Sequence, residues 1–245
     1  MYNENKIESY YMKLKINKLK IGLKDSGKEI VSEASFEITQ GEIILISGAN
    51  GSGKSSLLSA IFKHPDYELS CGEIVLEKEK EKVDLVNLQT DEIVKNGLYL
   101  SLQNVSEIFG VNLLQFLFRA FKNIYPENNK SVLEFNKELL KYCERFDLSK
   151  DFLGRDVNVG MSGGEKKQAE MLHLLALKPK FIFMDEPDSG VDKGAIKKVF
   201  QVVEYLQNEH NSAFVIVSHH PNLDEYIKVN KTYEMKDMIL SLHNH

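Results

Sequence analysis

The sequence predicts an α/β fold: a mostly parallel sheet covered by helices on both faces, with a β-rich N-terminal portion and an inserted α-helical subdomain. Three observations predict it. Apolar runs of strand length alternate with amphipathic runs of helix length. The glycine-rich stretch Gly48-Ala49-Asn50-Gly51-Ser52-Gly53-Lys54-Ser55 directly follows one such run and opens a helix. The chain has 245 residues, 42% of them hydrophobic, enough to bury a large core in one domain.

Met12 to Ile16 and Ala34 to Ile38 alternate apolar and polar residues, as half-buried antiparallel strands do, and Gly41 marks the step into the apolar strand Ile43 to Ile46. Lys54 to Phe62, with Leu57, Leu58, Ala60 and Ile61, reads as the helix that opens on the glycine-rich loop. Tyr67 to Leu76 reads as a strand pair broken at Cys71-Gly72. Thr90 is expected to cap a short helix that Gly97 ends, and Leu98 to Gln103 to form the next strand. From Asn104 to about Val159 the pattern turns helical. Ser131 and Glu134 form a capping box, and Val132, Phe135, Leu139, Tyr142 and Phe146 recur on one face as a packing stripe. A helix then runs from Gly164 to about Leu177, where Pro179 stops it. Phe181 to Met184 is a strand, Ile196, Phe200, Val203 and Leu206 mark a further helix, and Ala213 to Val217 is the last buried strand. These elements make one domain over 1–245. Residues 1–103 form the β-rich and loop-bearing core, 104–164 the helical subdomain, and 165–245 the second part of the core.

Charge and cysteine usage exclude several function classes. The 31 basic and 36 acidic residues are interspersed, so no field attracts nucleic acid and none is expected as a partner. Cys71 and Cys143 lie outside any metal-binding spacing, which argues for a reducing compartment. Apolar stretches are no longer than strands and the first residues lack a hydrophobic leader, so no direct membrane insertion is expected.

The glycine-rich loop is a phosphate site. Its glycines let the backbone close around an anion, so successive N–H groups and the helix dipole point at phosphate oxygens. Lys54 reaches the β- and γ-phosphates, and the Ser55 hydroxyl is the type of group such loops use to ligate Mg²⁺. Further motifs follow in order: Gln103 at a strand end, Met161-Ser162-Gly163-Gly164-Glu165 at a helix start, Met184-Asp185-Glu186 at a strand end, Ser189-Gly190-Val191-Asp192, and Val217-Ser218-His219.

In this order the motifs resemble those of the ATP-binding cassette (ABC) ATPases, over about Met12 to Leu242. The resemblance implies the ABC ATPase fold with a P-loop core sheet, ATP and Mg²⁺ as ligands, and ATP hydrolysis. It places Gly48, Ala49, Asn50, Gly51, Ser52, Gly53, Lys54, Ser55 and Ser56 around the nucleotide. Ser55, Asp185 and Gln103 fall at the metal, Glu186 at the general base for the attacking water, and His219 at the switch histidine that reaches a γ-phosphate oxygen. Catalysis is thereby assigned to Lys54, Gln103, Glu186 and His219. Ser162, Gly163 and Gly164 are implied to cap the γ-phosphate of ATP bound to a second copy, in a transient ATP-dependent homodimer, and Asp192 to couple the two sites. Asp192 also suits a helix N-cap.

Departures from transporter cassettes narrow the resemblance. His64-Pro65-Asp66-Tyr67-Glu68-Leu69, Glu107-Ile108-Phe109-Gly110-Val111 shortly after Gln103, and Ser162-Gly163-Gly164-Glu165-Lys166-Lys167 are similar to segments of the SufC family. Those proteins are the soluble ATPases of SUF iron–sulfur cluster assembly. Phe109 stands where that family usually has Pro, and Gln168 where it often has Arg. This resemblance implies SufB/SufD-type scaffold partners, docked near Glu107 to Phe118, and a cytoplasmic or organellar-stromal location. The nucleotide-binding subunit of a membrane transporter is the alternative. Between Leu19 and Lys24 no aromatic is available to stack on adenine, which predicts modest ATP affinity and poor discrimination against GTP. Lys167 is placed either to pair with Glu186 in the resting monomer or to face solvent.

Overall fold

The computed structural model describes residues 11–79, 81–102, 106–219 and 223–243. Among these, the fully apolar runs form the strands Phe181–Asp185 (β9) and Ala213–Val217 (β10), buried at every position. Strands buried on both faces belong at the centre of a parallel sheet, and there they lie. β10 pairs in parallel with β9 and with Ile43–Ser47 (β3), while β9 pairs in parallel with Leu98–Ser101 (β6). On the other side of β3 lie Lys231–Lys236 (β11) and Ile239–Leu242 (β12), an antiparallel hairpin. Next come Glu29–Thr39 (β2), Met12–Leu23 (β1), Tyr67–Lys78 (β4) and Glu81–Asp84 (β5), giving one ten-stranded sheet ordered β5-β4-β1-β2-β12-β11-β3-β10-β9-β6. The N-terminal strands β1, β2, β4 and β5 pair antiparallel, as the alternation of their residues predicts.

Because successive residues of a strand face opposite ways, each central strand feeds two cores. Ile182, Met184, Phe214 and Ile216 pack with the helices Leu113–Ile124 (α3), Val132–Arg145 (α4), Gly163–Leu177 (α5) and Lys193–His210 (α6). Phe181, Phe183, Val215 and Val217 pack on the other face with Lys54–Ile61 (α1) and the apolar side of the antiparallel strands. The rings of Phe62 and Phe183 meet edge to face at 5.4 Å.

Several local expectations are corrected. Tyr67–Lys78 is one strand: the Cys71-Gly72 break is a bulge against Lys20. Gly72 is required there, with φ 103° and the carbonyl of Lys18 2.6 Å from where a Cβ would stand. The short helix Thr90–Lys95 (α2) is capped by Gln89, which shares a capping box with Glu92, while the Thr90 hydroxyl donates to the carbonyl of Phe62. The inserted segment is not wholly helical, since Ile108–Asn112 (β7) pairs antiparallel with Asp156–Val157 (β8). Val132 is 46% exposed and leaves the stripe, because the first residue of α4 lies at the edge of the packed surface, whereas Phe135, Leu139, Tyr142 and Phe146 are buried. The β11–β12 hairpin is a further element that the residue pattern does not announce.

Candidate functional site

β3, β9 and β10 are adjacent and parallel, so their C-terminal ends deliver three loops to one edge of the sheet, where open α/β sheets place ligands. The first is the glycine-rich loop between β3 and α1. Gly48 has φ 140°, and a Cβ on it would lie 2.3 Å from the carbonyl oxygen of Met235 on β11, so no other residue fits without moving that strand. Lys54, 5% exposed, is the first residue of α1, and its Nζ donates to the carbonyl oxygens of Gly48 and Ala49 at 2.9 and 2.8 Å. Burial pushes the Lys54 ammonium below the usual lysine range, against the pull of Glu186 and Asp185. The ammonium is thus held over a loop of backbone amides, partly desolvated, where a phosphate would complete its coordination.

The second loop leaves β9. The Ser55 hydroxyl donates to Asp185 Oδ1 at 2.9 Å, across 130 residues of sequence. Burial raises the Asp185 carboxyl above the usual range, and the Ser55 hydrogen bond offsets part of this. Two hard oxygens side by side at the phosphate loop suit Mg²⁺, which takes few protein ligands and completes its shell with phosphate oxygens and water. Among the described residues no group of three or more His, Cys, Asp or Glu forms a metal cluster. Glu186 turns the chain in the left-handed region at φ 49°, an uncommon conformation for a non-glycine residue, and its N–H donates to the carbonyl of Val217 at 2.9 Å. His219, at the end of β10, brings Nε2 to 3.6 Å from Glu186 Oε1.

Apart from these three loops stands the start of α5. Ser162 is its N-cap: the hydroxyl accepts from the N–H of Glu165, and Glu165 Oε2 accepts from the N–H of Ser162 at 2.8 Å. Gly163 lines a cleft of about 460 Å³ together with Leu102, Lys167, Glu186, Ser189 and Gly190. Gly163 and Glu186 therefore border one cleft. Asp192 caps α6 as expected, accepting from the N–H groups of Gly194 and Ala195 at 2.7 and 3.0 Å. Gln103 lies outside the described residues. Of the remaining expected residues, Ala49, Asn50, Gly51, Ser52, Gly53 and Ser56 all fall on the loop and the first turn of α1.

Lys167 overturns both expectations. It is buried and pairs with Glu170 one turn along α5, Nζ to Oε2 at 2.9 Å, with side chains only 9% and 7% exposed. Two further residues join the site without a sequence motif to mark them. Asp188 accepts from the Ser218 hydroxyl at 2.9 Å and so pins the loop carrying His219 to the loop carrying Glu186. Its only signal is a carboxylate two residues beyond the Asp-Glu pair. Arg155 donates to Glu165 Oε1 at 2.9 Å. Ten residues separate them, a spacing with no periodic meaning.

A second concavity, about 1040 Å³, lies between the helical subdomain and the core. Phe62, Leu102, Phe116 and Ile124 give it an apolar lining, with His64 and Pro65 at its wall and Lys63, Lys95 and Lys122 among its residues. Phe109, on β7, is 73% exposed. Among the described residues no helix is long and apolar enough to cross a membrane.

Comparison with known proteins bears on this arrangement. A family described as "ABC transporter" matches residues 31–189. A probable ABC transporter ATP-binding protein of Streptococcus pyogenes serotype M18 is 36% identical over 225 residues, covering 91% of the chain and 85% of that protein. The iron–sulfur cluster assembly protein SufC of Plasmodium falciparum is 39% identical over 206 residues, covering 83% of the chain and 58% of that protein. A solved dimeric ATP-binding cassette in a post-hydrolysis state, bound to ADP and phosphate, superposes with a TM-score of 0.74 at 21% identity, covering 95% of this chain and 99% of that one.

Proposed function

This chain belongs to the ABC transporter family of ATP-binding cassettes, ATPases that cleave ATP to ADP and phosphate, and on that premise we propose that it is the ATPase subunit of an iron–sulfur cluster assembly complex. ATP-driven closure of two copies would reshape a SufB/SufD-type scaffold. The observation that carries this reading is the position of the departures from transporter cassettes. The His64-Pro65 segment lines the concavity between core and helical subdomain, and the Glu107 to Val111 segment leads from the sheet into that subdomain. The 39% identity to a protein named SufC supports the same reading. The alternative is a transporter subunit, favoured by the name of the streptococcal relative.

In the mechanism we assign, the incoming triphosphate takes the Lys54 ammonium from the carbonyls of Gly48 and Ala49 and accepts hydrogen bonds from the N–H groups of the loop and of α1. Ser55 and Asp185 would hold Mg²⁺, which when bound neutralises charge on the β- and γ-phosphate oxygens. Glu186 orients the attacking water and accepts its proton, with His219 beside it to reach a γ-phosphate oxygen. Ser162, Gly163 and Gly164 of a second copy present a helix N-terminus to the same phosphate. Catalysis is then positioning plus charge stabilisation, and the sites are complete only when two copies close.

The test is mass spectrometry of what purifies with the chain from native extract, with soluble and detergent-extracted material kept apart. Scaffold proteins of the SufB/SufD type in the soluble fraction are the expected result. A membrane permease in the detergent fraction would replace this reading with transport and leave the ATPase chemistry intact.

A further inference from the structure

Arg155 stands where the helical subdomain gives way to the loop that delivers Ser162. Its carbonyl accepts from the N–H of Leu113, the first residue of α3, at 2.9 Å. Its guanidinium lies 5.8 Å from the centroid of the Phe152 ring and donates to Glu165 Oε1 at 2.9 Å, to the carbonyl of Gly160 at 3.2 Å and to that of Val159 at 3.4 Å. The loop so tied turns twice through the left-handed region, at Asn158 and Gly160, each with φ 61°. Asn158 is separately anchored by its side-chain N–H to the carbonyl of Ser106 at 2.9 Å. One residue therefore links three parts: its main-chain carbonyl holds the start of α3, and its guanidinium ties the bent loop to the first turn of α5.

The charge of that link matters as much as its reach. Glu165 caps α5 through Ser162, and a carboxylate there favours the helix. The same N-terminus has to receive the triphosphate held by a second copy, and a carboxylate in its first turn repels that anion. The Arg155 ion pair returns the pair to zero net charge while leaving the cap in place.

We propose that Arg155 is a positioning residue for the closed state: its guanidinium offsets the Glu165 carboxylate and so keeps the Ser162 helix terminus attractive to the partner copy's ATP. The inference rests on reading the chain as an ATP-dependent homodimer. It predicts that Arg155 acts on closure and not on the nucleotide bound to its own phosphate loop.

The experiment is sedimentation in Mg-ATP of chains that also carry Glu186→Gln, which slows turnover and lets the closed state accumulate. If the chain with Arg155 intact does not dimerise, the homodimer reading fails before Arg155 is tested. If it does, Arg155→Gln is expected to weaken dimerisation about tenfold, roughly threefold at each of two symmetric sites, the scale of a partly exposed ion pair. ATP binding to the dilute monomer should be unchanged. Adding Glu165→Gln, whose amide oxygen still caps Ser162, should recover most of the loss. Dimerisation by Arg155→Gln at full strength would overturn the proposal. So would failure of Glu165→Gln to rescue, because damage to the loop alone would not be repaired by removing a charge.

Discussion

Replacing Lys167 by Ala separates two accounts of helix α5. The Lys167–Glu170 pair lies on one face of α5 with Nζ and Oε2 2.9 Å apart, both side chains at least nine-tenths covered, against a helix whose neighbours Ala169, Met171, Leu172, Leu174 and Leu175 are core residues. Removing one partner of a buried pair leaves the other charge without its counter-ion, a loss of about 3–5 kcal/mol. In a chain of this size each kcal/mol moves the midpoint by about 2–4 °C, so Lys167→Ala should melt on the order of 10 °C below the parent chain. Replacing both residues by apolar side chains of similar volume should recover most of this, since the desolvation cost of the pair disappears with it. The assay is urea and thermal unfolding of the parent chain, Lys167→Met, Glu170→Leu and Lys167→Met/Glu170→Leu, analysed as a cycle, with Lys167→Ala measured beside them. Coupling near zero, or a Lys167→Ala chain that unfolds with the parent while hydrolysing ATP faster, would refute the argument and restore a restraint on Glu186.

Three other outcomes are expected. Asp185 has its carboxyl raised by burial, so its share of stability is fully present below the ordinary carboxyl range and is lost as pH rises through its folded value; at neutral pH its ionised form is a burden. Asp185→Asn should therefore stabilise the nucleotide-free chain by about 1 kcal/mol at pH 7, by less as pH is lowered, while hydrolysis falls on the order of 100-fold; a destabilised variant in thermal melts would contradict this. Cys143 is buried and its thiol is pushed up to about 11, whereas Cys71 is exposed, so a thiol reagent at pH 7.5 should label the native chain once and the unfolded chain twice, with Cys71 identified by peptide mapping. Ile21 is fully buried within the sheet and gives adenine no platform, so ATP and GTP should compete with affinities within about tenfold of each other; strong preference for ATP would point to a base contact elsewhere.

The legible parts of the fold are those encoded by neighbours in sequence. Phe181 to Met184 and Ala213 to Val217 announce buried central strands, and the capping box at Ser131 marks where a helix begins. At Gly72 the sequence predicts a strand break because the residue pattern of a bulge and that of a turn are alike, and only the pairing with β1 distinguishes them. The β7–β8 pairing was missed because its two arms, Ile108–Asn112 and Asp156–Val157, are short and far apart in the chain. The place of Lys167 is hidden for a related reason: its i, i+3 partner is visible in sequence, but whether the pair is buried or solvated depends on what α5 packs against.

By itself the sequence determined the tasks of individual segments: a loop whose backbone accommodates an anion, a helix terminus left for a second anion, carboxylates and an imidazole at strand ends. These are local because glycine conformation, capping and strand alternation are properties of a few consecutive residues. The tertiary structure alone decided which of these groups meet. Ser55 touches Asp185 because β3 and β9 flank β10 in the sheet, Glu186 approaches His219 because β9 and β10 are neighbours, and Arg155 reaches Glu165 because the loop between them folds back on the helix. Strand order and loop path are set by how the whole chain buries its two apolar faces, a sum over distant contacts that no single stretch of residues contains.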